Sequence, residues 1–108
     1  MDSISFADFQ KLDIKIGTIK TVENIEGSEK LLKIIIDFGV GTRQIISGIA
    51  KWYVPEELVG KQVPVLLNLE PKSFLGNESQ GMILMAVSDD RPVQLNPVDT
   101  VPSGSIVR

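Results

Sequence analysis

Apolar residues at Ile4, Phe6, Phe9 and Leu12, with Asp8 and Lys11 between them, have the spacing of a short helix or turn laid on a core. Ile14, Ile16, Thr18 and Ile19 then open an alternating, β-branched run that contains Gly17. A lone glycine inside such a run predicts a bulge or a sharp bend, as at a barrel corner. Glu26-Gly27-Ser28-Glu29 reads as a turn. Leu31 to Phe38 forms a second strand whose polar interruptions are Lys33 and Asp37. Gly39-Val40-Gly41 turns the chain into a third strand, Arg43 to Ile49, and the short interval predicts an antiparallel hairpin.

Trp52 to Lys61 reads as one helical turn. Pro55 presets the backbone, Glu56 and Glu57 sit at the positive helix start, and Gly60 ends it. Val63 to Leu69 is a fourth strand, and Pro64 suggests its edge or its start. A polar loop from Pro71 to Gln80 precedes a fifth strand, Met82 to Val87. The tail, broken by Pro92, Pro97 and Pro102, is expected to run extended over a surface. Five short strands with a helical turn between the third and fourth match an OB barrel, although an SH3-like barrel or a small sandwich fits the same pattern.

With 108 residues, 43% of them hydrophobic, the chain suits a single packed domain. It contains no histidine and no cysteine. Imidazole acid–base chemistry, thiolate chemistry and ordinary zinc ligation are therefore excluded. Glu56-Glu57 and Asp89-Asp90 read as solvated charges, and Asp89-Asp90-Arg91-Pro92 is too short for a calcium loop. No catalytic residue, metal or cofactor is expected. Neither a membrane span nor a secretion signal is visible, so a cytoplasmic protein is expected. Eleven Lys and Arg against fourteen Asp and Glu give a formal charge of −3. Any nucleic-acid site must then be a local basic patch on an acidic body.

Four stretches, in order along the chain, carry a family likeness: Asp13-Ile14-Lys15-Ile16-Gly17-Thr18-Ile19, Arg43-Gln44-Ile45-Ile46-Ser47-Gly48-Ile49, Asn68-Leu69-Glu70-Pro71-Lys72 and Gly76-Asn77-Glu78-Ser79-Gln80-Gly81-Met82. Together they resemble the tRNA-binding domain found as stand-alone dimers and appended to methionyl-tRNA synthetases. The likeness runs from about Phe6 to Val107. Where members usually carry His-Pro before Asp-Lys-Leu, this chain reads Ile25-Glu26-Gly27-Ser28-Glu29-Lys30-Leu31. The resemblance implies a five-stranded OB barrel, homodimerisation, and tRNA binding without aminoacylation, in support of a methionyl-tRNA synthetase as a subunit or in trans. Residues 92–108 are the expected dimerisation segment of a single domain spanning 1–108, since Val98, Val101, Ile106 and Val107 need a partner surface.

Within that frame Arg43 is a candidate for phosphate, through its rigid donor fork. Lys72 supplies charge, Ser79 a hydroxyl for phosphate or 2′-OH, and Gly81 room for close backbone approach. Asn68 is set between satisfying loop backbone and touching RNA, with structure ahead. Met82 is expected beneath the site, and Lys15 and Lys33 on the same barrel face as Arg43. Phe74, in a polar loop, either stacks on a base or folds onto the core. So few aromatics favour recognition of tRNA by shape rather than by sequence. The competing expectation is an export-linked chaperone, since related bacterial barrels are described as binding unfolded polypeptide; an exposed apolar groove would favour that reading, and a basic loop cluster favours RNA.

Overall fold

Ile14–Asn24 (β1), eleven residues long, is the strand around which the barrel is built. The computed structural model describes residues 1–108. In chain order the other elements are α1 (Phe6–Phe9), β2 (Leu32–Asp37), β3 (Thr42–Ser47), α2 (Pro55–Leu58), β4 (Gln62–Leu66), β5 (Lys72–Phe74), β6 (Asn77–Ser79), β7 (Met82–Ile83), β8 (Met85–Ser88) and β9 (Arg91–Gln94). One antiparallel sheet has the order β3-β2-β1-β4-β7, and β5-β6 and β8-β9 form separate hairpins. The sheet curls until its ends nearly meet: Gln80 N–H donates to the Gln44 carbonyl at 2.8 Å. This nearly closed five-stranded barrel, with a short helix between β3 and β4, is an OB fold.

Alternation sets the core. Leu32, Ile34 and Ile36 of β2 are fully buried, while Lys33, Ile35 and Asp37 face outward. Ile19, Ile45, Val63 and Val65 complete the interior, and Leu58 of α2 closes it from one end. The Glu57 carboxylate accepts the Val54 N–H at 3.0 Å, satisfying a donor at the start of α2. Gly17 lets β2 and Phe38 pack closely on β1, because a Cβ there would lie 2.6 Å from the Phe38 ring. A register shift between Ile19 and Thr21 supplies the bulge.

Several expectations are corrected. Pro64 is neither at an edge nor at a strand start. It lies within β4, opposite Ile16, whose amide and carbonyl bond instead to Ser105 and Gly104. The ladder there asks for no N–H from Pro64. The polar loop after β4 is a hairpin turned by Leu75 (φ 50°) and Gly76 (φ 80°). The fifth strand breaks at Leu84, and the second half, β8, pairs with β9 across an Asp89-Asp90 turn with both residues at positive φ.

The tail accordingly begins as a strand. Residues 91–94 fold back on β8, where Tyr53 Oη donates to the Pro92 carbonyl at 3.0 Å and accepts from Gln94 N–H at 3.2 Å. Beyond Leu95 the chain follows its own barrel. Gln62 bonds both backbone groups of Val101, and Val107 N–H reaches the Ile14 carbonyl at 2.9 Å. Val98 and Ile106 keep their side chains exposed. No helix is long and apolar enough to cross a membrane.

Candidate nucleic-acid interface

The β5-β6 hairpin leans on the outer side of β3 and makes a groove there. β3 reads Ile45-Ile46, and two successive isoleucines cannot both face one core in a strand. Ile45 points into the barrel opposite Ile34, whereas Ile46 points outward opposite Lys33. Ile46 is nonetheless buried, because the hairpin covers it. Between them lies a cavity of about 360 Å³, walled by Ile46, Leu69, Phe74 and Met82, with Glu70 and Lys72 at its polar lip.

Ser79 fastens this arrangement. Its side chain is buried, accepts the Ile46 N–H at 3.0 Å and donates to the Gly81 carbonyl at 3.0 Å. The hydroxyl expected to meet RNA is thus committed to barrel closure. Gly81 does permit a close backbone approach, but the partner is the protein itself: a Cβ at its φ of +144° would sit 2.7 Å from the Leu66 carbonyl oxygen. Gln44 adds to the closure, its Nε2 donating to the Glu78 carbonyl at 2.9 Å and its N–H to Gln80 Oε1 at 3.1 Å.

Arg43 and Lys33 do not share a face. Arg43 lies opposite Ile36 on the inward register, and Lys33 opposite Ile46 on the outward one. The Arg43 guanidinium reaches over the barrel end, where Nη1 donates to the Leu67 carbonyl at 2.7 Å and the Gln80 carbonyl at 3.2 Å. It also lines a second cavity of about 340 Å³, beside Glu78. Lys33 stands 3.8 Å from the Glu23 carboxylate. Lys15 sits where β1 meets the tail, paired with Val65 and bridged to Ile106, outside the groove. Asn68 bonds to loop backbone: Oδ1 accepts the Asp13 N–H at 2.9 Å and Nδ2 donates to the Lys11 carbonyl at 2.6 Å, tying the segment after α1 to the end of β4.

Lys72, Phe74 and Met82 do come together. Lys72 is exposed, in no salt bridge, with Nζ 5.1 Å from the centroid of the Phe74 ring. Phe74 is half-buried in the groove wall, and Met82 is exposed beside it rather than beneath it. Ile46, Leu69 and Glu70 were not singled out from the sequence. The doubled isoleucine at 45 and 46 is the signal that could have shown a covered outer face.

Residues 14–105 match the family model described as "Putative tRNA binding domain". Over 106 residues the chain is 53% identical to a methionine–tRNA ligase of Archaeoglobus fulgidus, covering 98% of this chain but 16% of that protein. Among solved structures, a MetRS related protein from Pyrococcus horikoshii superposes with a TM-score of 0.95 at 39% identity, with 100% of both chains covered. The chaperone CsaA from Bacillus anthracis gives a TM-score of 0.90 at 33% identity, covering 99% of this chain and 100% of that one.

Proposed function

The chain belongs to the tRNA-binding domain family, and from that premise we propose that it binds tRNA and catalyses no reaction on it. The observation that carries this reading is the exposed Lys72 ammonium, free of any carboxylate partner, on a hairpin beside an open groove. Lys72 takes a backbone phosphate, and the Arg43 N–H groups not used by carbonyls add a second, weaker contact. With this donor set on the phosphate backbone, recognition follows tRNA shape, not anticodon sequence. Purified tRNAs of different identity should bind within about one order of magnitude of each other.

The sequence spans 16% of the length of the methionine–tRNA ligase it matches at 53% identity. In this reading it strengthens the hold of a cytoplasmic methionyl-tRNA synthetase on tRNA, by linkage or by association. A homodimer is part of the proposal. Phe6, Phe9, Leu12, Ile106 and Val107 wall an open cavity of about 420 Å³ between α1 and the tail, and a second protomer would cover it.

A polypeptide-binding role is the second reading, favoured by the likeness to a chaperone along the full chain and by the apolar groove wall. Competition separates the two. Labelled tRNA bound to the protein should resist a large excess of a permanently unfolded, reduced polypeptide and yield to unlabelled tRNA. Displacement by the polypeptide alone would reverse the assignment.

A further inference from the structure

The groove between β3 and the β5-β6 hairpin has a feature that phosphate binding leaves unused: an aromatic wall. Phe74, Met82, Leu69 and Ile46 form an apolar surface around a space of about 360 Å³, open to solvent at a lip carrying Lys72 and Glu70. A site for phosphate alone has no use for such a wall, and a purely apolar ligand has no use for the ammonium beside it. We propose that this groove takes one unstacked nucleobase, laid against Phe74, while Lys72 holds the phosphate of the same nucleotide. The inference rests on the tRNA-binding reading above and names the chemistry of its central contact.

The pairing of charges fits a nucleotide. Its phosphate is anionic and meets Lys72. In the free protein the Lys72 ammonium lies 5.1 Å from the Phe74 ring centroid, so the aromatic face is covered by a cation. Binding exchanges two contacts at once. The ring passes from the ammonium to the base, and the ammonium passes from the ring to the phosphate. Lys72 and Phe74 are two residues apart on one short strand, so both side chains project to the same side of the hairpin. Ser79 and Gly81 hold that hairpin against β3, which fixes the groove before any ligand arrives. A single apolar wall stacks any of the four bases, so the site adds affinity without adding sequence preference.

The test uses the wild-type chain, Phe74→Leu and Phe74→Ala, with tRNA, the four nucleoside 5′-monophosphates and ribose 5-phosphate as probes. Phe74→Leu keeps an apolar wall and removes the aromatic face. It should weaken tRNA binding on the order of tenfold, with no change in melting temperature or in the salt slope. In NMR titrations all four monophosphates should shift the Phe74 and Met82 side-chain signals, whereas ribose 5-phosphate, which draws Lys72 off the ring, should shift Lys72 and Phe74 but leave Met82 unmoved. Wild-type tRNA affinity in both Phe74 variants would overturn the base site and leave the tRNA reading standing. No tRNA binding by the wild-type chain would remove both. Shifts at Phe74 and Met82 with an apolar peptide but with no monophosphate would overturn the base site in favour of polypeptide.

Discussion

Replacing Ser79 by alanine separates a residue that builds the groove from one that touches the ligand. The hydroxyl is buried between the Ile46 amide and the Gly81 carbonyl, each at 3.0 Å. Its loss leaves the Ile46 N–H buried without a partner, which costs about 1–3 kcal/mol. The Gly81 carbonyl loses its donor too, which places the total near the upper half of that range. For a domain of this size each kcal/mol moves the melting temperature by roughly 4 °C or more, so a fall of about 10 °C is expected. Circular dichroism melts measure it, and tRNA titration at 15 °C, well below the transition, measures binding by the folded molecules. The affinity there should stay within about threefold of wild type, or roughly 0.6 kcal/mol. An unchanged melt with tRNA binding lowered tenfold would mean that the hydroxyl meets the ligand and that the account of barrel closure is wrong.

Gly81→Ala should destabilise more than Ser79→Ala, because the φ of +144° and the Leu66 carbonyl 2.7 Å from the added Cβ act together. A melt within 2 °C of wild type would show that the strand has room to shift. Arg43→Met should lower both the melting temperature and tRNA affinity, since Nη1 holds the Leu67 and Gln80 carbonyls. Loss of affinity alone would contradict that dual role. Sedimentation should give about twice the 11.8 kDa chain mass, and Phe6→Glu, placed in the proposed contact, should halve it. A wild-type monomer at micromolar concentration would end the dimer proposal.

The long elements were legible because each obeys a period over enough residues. Leu32–Asp37 alternates burial at every position, and Pro55 with Glu57 marks the start of α2. The β5-β6 hairpin was not legible. Its strands are three residues each and mostly polar, too short for a period, and only Gly76 hinted at the turn. Pro92 disguised β9, although a two-stranded ribbon tolerates a proline on its open edge. The candidate site shows the same division. Lys72 and Phe74 are neighbours in sequence and could be paired by reading. The commitment of Ser79 to Ile46 joins residues 33 positions apart, and the Arg43 contact with Gln80 spans 37. Contacts set by closure of the barrel leave no local trace in the chain.

Neutralisation of tRNA phosphates by Lys72 leaves a salt dependence that no apolar contact produces. Filter binding to bulk tRNA, with duplex DNA as control, should give log affinity falling against log salt with a slope of roughly −2 to −5. Lys72→Glu should make that slope shallower by about 1 and leave the melt unchanged. A flat salt response, or equal affinity for duplex DNA, would contradict the assignment of this groove and its lysine to tRNA.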